Sequence, residues 1–187
     1  MIDKSDKLII FDLDETLIHA TEHELNRPYD LKFEKYFVYQ RPNLKSFLTN
    51  VADHFTLGIW SSADDDYVTE IVRGIMPDTI DMLVVWGRSR CSYRRDFERD
   101  TYCFEKRLDK LKKRGFRLEK ILIVDDSPEK SRANYGNAIH IKEYTGSEDD
   151  NELVVLFDYL LSLKGVENVR SIEKRGWRNR LESTSTD

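Results

Sequence analysis

Two short aliphatic runs, each breaking into a pair of aspartates, limit what this chain can fold into more than any other feature. Leu8, Ile9, Ile10 and Phe11 lead into Asp12 and Asp14, and Ile121 to Val124 lead into Asp125 and Asp126. A continuous apolar run of this length, without alternation, reads as a strand buried on both faces. A carboxylate at the mouth of such a strand costs several kcal/mol unless a cation or hydrogen bonds compensate it. One acidic turn reads equally well as a helix cap, with Thr16 opening the next element. Two of them at separate strand ends point to a site.

The chain between and around these runs alternates. Residues 15–32 have no clear period and read as loop, and "KFEKYFVYQ" reads as a strand or hairpin arm. Pro42 suits a first helical turn, and Leu44, Phe47, Leu48 and Val51 share one helix face. "FTLGIW" (55–60) is a second apolar strand ending at Ser61 and Ser62. Val68, Ile71, Val72 and Ile75 then fall at helical spacing, stopped near Pro77. "DMLVVW" predicts a third strand, residues 87–102 an inserted basic hairpin or loop, and Phe104, Leu108 and Leu111 a helix ending at Gly115, with Lys106 at its start. "AIHI" (138–141) is a last strand, and Leu153, Leu156, Phe157, Leu160 and Leu161 mark a closing helix up to Gly165. Strands joined by helices of this length imply an α/β fold with a mostly parallel, three-layered sheet. Its site is expected at the carboxyl ends of the strands.

Hydrophobic residues make up 40% of the 187, normal for a globular chain. No apolar run approaches the roughly 20 residues that span a bilayer, and "MIDKSDK" lacks the apolar core of a signal peptide. Cys91 and Cys103 stand twelve apart without a CxxC, which indicates neither a zinc site nor a disulfide framework. A reduced cytoplasmic or nuclear compartment is the default expectation, with no membrane partner. Net charge is −5, yet residues 88–114 carry eleven Lys or Arg against five acids, a local +6. On charge alone that segment is a solvated face, or it steers an anionic partner.

Three apolar strands thus end in polar chemistry: Asp12 and Asp14, Ser61 and Ser62, Asp125 and Asp126. Adjacent parallel strands deliver these ends to one edge, where four carboxylates would repel strongly without a metal. Hard oxygen ligands suit Mg²⁺. Hydroxyls ahead of a helix N-terminus can cradle phosphate oxygens, and Lys106 can neutralise one. Aspartate, Mg²⁺, hydroxyl and lysine are the parts for phosphoryl transfer through an aspartyl-phosphate.

"DLDETL" matches the DxDxT signature of haloacid dehalogenase-like (HAD) phosphatases. "DLDETLIH", "RPNLKSFL", "WSSADDDY", "EKRLDKL" and "IVDDSP", in this order, resemble the RNA polymerase II C-terminal-domain phosphatases, also called NLI-interacting-factor-like phosphatases. The resemblance covers roughly residues 6–142. It implies a Rossmann-like sheet and a role for each position. Asp12 would be the nucleophile and Asp14 the general acid, then base. Mg²⁺ would be held by Asp12, the backbone carbonyl of Asp14 and Asp126, with Asp125 close by. Thr16 would support the phosphate loop, Ser61 would hydrogen-bond the phosphoryl group, and Lys106 would pair with it and with the acids. Arg88 and Tyr67 resemble family residues that line the substrate groove.

There are departures. The family usually has Asp-Asn where this chain has Asp125-Asp126, and typically Thr at Ser61. Three extra residues around Lys112–Arg114 make Lys110 a rival for the Lys106 role. Among the remaining side chains, His19 reads as a structural hydrogen-bonder, Trp60 and Trp86 as sheet packing, Trp177 as an anchor for the C-terminal segment, and Cys103 as core-facing.

The organisation expected is one HAD-like phosphatase domain over 1–165, with an insertion at about 78–102 and a segment 166–187 whose end frays. That insertion is too small for an independent cap, which needs about 50 residues or more. An open site admits phosphate on a protein or another large molecule. The function expected is a Mg²⁺-dependent phosphomonoester hydrolase, a serine/threonine protein phosphatase. Nucleic-acid ends or nucleotides are alternative substrates, and a non-catalytic phosphate-binding module or a receiver-type signalling domain are further alternatives. Oligomeric state is not legible.

Overall fold

The computed structural model describes residues 4–96 and 101–179. In chain order the described elements are β1 (Leu8–Phe11), β2 (Ile18–Thr21), β3 (Leu31–Phe33), β4 (Tyr36–Gln40), α1 (Leu44–His54), β5 (Thr56–Trp60), α2 (Asp65–Ile75), β6 (Met82–Trp86), β7 (Ser92–Asp96), β8 (Thr101–Glu105), β9 (Ile121–Asp125), β10 (Ala138–His140) and α3 (Glu152–Ser162). Five of the strands form a parallel sheet in the order β10-β9-β1-β5-β6. Phe11 is level with Ile59 on one side and Val124 on the other. The three strands whose ends carry the polar pairs are therefore adjacent. The chain lays β5 and β6 to one side of β1, then crosses back to lay β9 and β10 on the other. In open α/β sheets the crevice at such a reversal is where ligands bind.

Successive side chains of a strand face opposite ways, which splits the core in two. Ile9 and Phe11 join Leu57, Ile59, Leu122 and Val124 beneath all three helices. Helix α1 buries Leu44, Phe47, Leu48 and Val51, and α2 buries Val68, Ile71, Val72 and Ile75, the one-face spacing of the sequence. Pro42 lies ahead of α1, behind Asn43, and not in its first turn. On the other face Leu8 and Ile10 pack with Trp60, Trp86, Ile121 and Ile123, the two indoles meeting edge to face at 4.9 Å.

That second face is closed by 3₁₀ turns where an α-helix is expected. Phe104 belongs to β8, and Leu108–Arg114 winds as 3₁₀ up to Gly115 at φ 88. Leu108 and Leu111 are its two buried residues. A three-residue spacing stacks side chains in register on a 3₁₀ turn, so two leucines suffice to hold it down. Only glycine takes the left-handed stop without cost.

Two small antiparallel sheets complete the chain. One, ordered β2-β4-β3, arises partly from residues 15–32, which the sequence reads as loop. The other is the basic hairpin β7-β8, in which Cys103 stands half-buried opposite Arg94 and not in the core. Along the hairpin Tyr93, Arg94, Arg95 and Tyr102 are exposed, unlike the buried residues of the central strands. Near the end of the described chain, Trp177 stacks on Tyr159 at 5.0 Å and its indole N–H donates to the His140 carbonyl at 2.9 Å. Among the described residues no helix is long and apolar enough to cross a membrane.

Candidate active site

Asp12 continues β1 by one residue, its N–H donating to the Val124 carbonyl at 2.9 Å. That bond sets Asp12 beside Asp125, the last residue of β9. Immediately after, the chain wraps one turn around the Leu13 carbonyl, which accepts from the N–H groups of Thr16, Leu17 and Ile18. Glu15 takes a left-handed φ of 57 to make the turn, a conformation of order 1 kcal/mol above the common ones for a residue with a side chain. The turn sends Thr16 inward. Its hydroxyl donates to Asp126 Oδ1 at 3.1 Å and accepts from the Asp126 N–H at 3.2 Å, which ties the two acidic strand ends together.

Asp12, Asp125 and Asp126 each offer one oxygen within 4.8 Å of the others. Lys106, fully buried just after β8, places Nζ 2.6 Å from Asp12 Oδ1 and 2.7 Å from Asp125 Oδ2. Burial opposes its charge, but Asp12 and Asp125 outweigh it and hold the amine protonated. Burial also raises the Asp125 carboxyl, with Asp12 adding to the effect and Lys106 opposing it. Lys110 turns elsewhere and donates to the Arg90 carbonyl at 2.6 Å. Of the two lysines weighed from sequence, Lys106 is the one at the acids. The Asp12 carboxylate is buried, with Lys106 against Oδ1 and no hydrogen bond at Oδ2, which leaves room for a further cation in front of it. Three hard oxygens, from Asp12, Asp125 and Asp126, fit a small divalent ion.

The Asp14 carboxylate points away from this trio. Tyr67 donates to Asp14 Oδ1 at 2.6 Å and Ser61 to Asp14 Oδ2 at 3.3 Å. Burial raises its pKa, the two donors pulling back, so Asp14 holds a proton more readily than a free carboxylate. Ser61 Oγ also accepts the Ala63 N–H at 3.0 Å. Ser62 is engaged through its backbone carbonyl, which accepts from Arg88 Nε at 2.9 Å, while Arg88 Nη1 pairs with Asp64 at 2.8 Å. The N-terminus of α2 is thus edged by Asp64, Asp65 and Asp66, which already complement its dipole.

From Asp14 a groove of about 610 Å³ opens to solvent. Phe33, Tyr36 and Tyr67 form its aromatic wall, the Phe33 and Tyr67 rings meeting at 5.4 Å. Glu34, Asp64, Asp66, Lys35 and Arg88 edge it. Most of that wall comes from the small β2-β4-β3 sheet, and Arg88 is the member of the basic 88–114 segment that lines it. His19 donates or accepts at Glu15 Oε1, 3.2 Å away, a structural contact.

Two residues at the cluster have no counterpart in the sequence reading. Glu15 is pushed up to about 8 by burial and by the neighbouring charges of Asp14 and Asp126. Lys130 places Nζ 3.8 Å from Asp12 Oδ2. Burial disfavours its charge, but Asp12 outweighs that and raises its pKa. The only signal for Lys130 is "SPEK", a proline turn directly after an acidic strand end, able to fold a lysine back over that end.

The family model described as NLI interacting factor-like phosphatase matches residues 7–170. CTD small phosphatase-like protein 2 of Dictyostelium discoideum is 30% identical over 170 residues, covering 87% of this chain and 28% of its own length. The CTD nuclear envelope phosphatase 1 homolog of Drosophila melanogaster is 28% identical over 187 residues, covering 90% of this chain and 72% of its own. The human carboxy-terminal domain RNA polymerase II polypeptide A small phosphatase 1 is 26% identical, covering 90% and 64%. The chain thus spans under a third of the slime-mould relative. The structure of Fcp1, an essential RNA polymerase II CTD phosphatase, superposes with a TM-score of 0.56 at 17% identity, over 97% of this chain and 49% of that one, a likeness of fold.

Proposed function

The chain belongs to the NLI interacting factor-like phosphatase family, and on that premise we propose that it is a Mg²⁺-dependent phosphomonoesterase acting on phosphoserine or phosphothreonine in proteins. The observation that carries this is the division of the site. One buried carboxylate, Asp12, is ion-paired at Oδ1 with Lys106 at 2.6 Å. Its neighbour Asp14 is held aside by Tyr67 and Ser61 with a raised pKa. A nucleophile must stay ionised while an acid must carry a proton near neutrality, and these two environments separate the two.

Asp12 attacks phosphorus and takes the phosphoryl group while Asp14 gives its proton to the departing serine or threonine oxygen. Asp14, now a carboxylate, takes a proton from water, whose oxygen attacks the same phosphorus. Inorganic phosphate leaves and Asp12 is regenerated. Asp12, Asp126 and the Asp14 carbonyl would hold Mg²⁺, with Asp125 behind Lys106. When bound, the ion offsets charge on the phosphoryl oxygens.

Protein is favoured over nucleic acid by the groove that would hold the leaving group. Its two cations are both committed, Arg88 to Asp64 and Lys35 to Glu22 at 2.6 Å, while Glu34 and Asp66 stand beside them. A polyanionic leaving group meets net repulsion there. An uncharged or cationic peptide finds an aromatic wall. The name of the Drosophila nuclear envelope relative supports a nuclear setting.

The test is phosphate release with Mg²⁺ and with EDTA from an aryl phosphate, phosphopeptides, nucleotides and phosphate-ended oligonucleotides. Mg²⁺-dependent turnover of phosphopeptides, lost in Asp12→Asn, is expected. Preference for oligonucleotides would reverse the substrate assignment, and absence of any turnover would sink the enzyme reading.

A further inference from the structure

We propose that Lys130 is a catalytic residue that holds a non-bridging oxygen of the phosphoryl group as it passes to Asp12, an inference that rests on the phosphatase reading. The two lysines at the cluster are not equivalent. Lys106 is 0% exposed and its Nζ is spent on two carboxylates, at 2.6 and 2.7 Å. It fixes Asp12 Oδ1 and Asp125 and has no path to solvent, from which a substrate arrives. Lys130 is 26% exposed against 1% for Asp12. It therefore stands over the outer side of the nucleophile.

The distance is informative. At 3.8 Å from Asp12 Oδ2, the Lys130 ammonium is too far for a hydrogen bond. Oδ2 is the oxygen left free by Lys106, hence the one available to attack phosphorus. A phosphoryl group joined to Oδ2 would bring its own oxygens into the gap between the carboxylate and Nζ. Among the described residues the ammonium makes an ion pair with Asp12 and no hydrogen bond, so its three donors are uncommitted.

The root of the side chain is fixed by two backbone bonds. The Lys130 N–H donates to the Ser127 carbonyl at 3.2 Å, closing the turn after β9, and its own carbonyl accepts the Lys106 N–H at 2.9 Å. Both lysines thus hang from one backbone bond. One points into the buried pair, and the other faces Asp12, Asp14, Glu15, Asp125 and Asp126 from the open side. A phosphoryl dianion adds negative charge to a cluster already rich in it, and a preorganised cation facing the transferring oxygens lowers the barrier. Arg88 is less suited, being exposed and paired with Asp64.

The experiment compares wild type, Lys130→Met, Lys130→Arg and Asp12→Asn. The readouts are kcat and KM on an aryl phosphate, inorganic phosphate affinity by calorimetry, the Mg²⁺ concentration for half-maximal activity, and the thermal midpoint. Lys130→Met should lower kcat/KM about 100-fold and weaken inorganic phosphate at least tenfold, with the midpoint and the Mg²⁺ requirement unchanged. Lys130→Arg should recover part of both losses. Lys130→Met within twofold of wild type in kcat/KM and phosphate affinity would overturn the proposal. So would a loss that tracks the thermal midpoint or the Mg²⁺ requirement. If wild type itself turns over nothing, the phosphatase reading fails separately, and the phosphate titration alone decides whether Lys130 contacts the anion.

Discussion

The two halves of the site solve opposite problems with the same residue types. On the closed half, Asp12, Lys106 and Asp125 are out of water and held by short ion pairs. On the open half, Asp14, Glu15 and Tyr67 border a groove, and their acids are pushed towards the protonated form. The closed half shows how charged groups are held in burial, by short ion pairs that outweigh its effect on Lys106 and oppose it on Asp125. The open half shows how a carboxyl is kept as an acid, by being buried without a cation in contact.

Breaking the closed half should have the largest effect. Lys106→Met leaves Asp12 and Asp125 buried without their shared cation, and about 3–5 kcal/mol of stability should be lost, read by denaturant unfolding. A variant that unfolds at the wild-type midpoint would mean that the pair is far wetter than its geometry. On the open half, Asp14→Asn should leave the fold intact or firmer, since it removes a carboxyl that burial disfavours. Its kcat on an alkyl phosphomonoester should fall roughly 10²–10⁴-fold, and less on an aryl phosphate whose leaving group needs no proton.

Tyr67→Phe sharpens the contrast. The hydroxyl donates to the ionised form of Asp14, so its loss raises the Asp14 pKa further. Activity that needs protonated Asp14 is lost as pH rises, and this alkaline limb should move up by about one pH unit. A limb that moves down would assign the acid to another group.

Glu15 predicts a pH-dependent stability. Its folded value of about 8 lies above the ordinary 4.5, so between these the fold binds a proton that the unfolded chain has released. That stabilisation is complete below the unfolded value and disappears as pH rises through the folded one. With EDTA present, the thermal midpoint should decline from pH 5 to 8, and Glu15→Gln should flatten the decline. The smallest effect is expected at the groove's edge. Arg88→Ala removes an exposed pair with Asp64 and should change kcat/KM on phosphopeptides less than about threefold, because such pairs contribute under about 1 kcal/mol.

Legibility followed the range of the interactions. Leu8–Phe11 and Ile121–Asp125 announced themselves because strands covered on both faces must be apolar throughout. Their terminal acids stood out against that background. Helices α1 and α2 were legible because one packed face imposes its spacing on the sequence. The β2-β4-β3 sheet was legible only in part. "KFEKYFVYQ" read as a strand or hairpin arm and forms most of the β3-β4 hairpin, whereas β2, four partly covered residues that neither run nor alternation marks, is made a strand by its pairing with β4. The sequence also drew attention to the basic 88–114 segment, yet that charge is largely placed elsewhere. Lys106 is buried, Lys110 bonds a carbonyl, and Arg94 pairs with Glu105.

By itself, then, the sequence determined the parallel strands, the helices α1, α2 and α3, and the acids at the ends of β1 and β9, because burial of backbone and of carboxylates leaves few other solutions. Tertiary structure set aside Lys110, the rival of Lys106, and alone decided that Asp14 turns towards Tyr67, that Lys130 folds back over the nucleophile, and that an acidic, aromatic groove flanks them. Those facts depend on distances between residues far apart in the chain, and neither composition nor period encodes them.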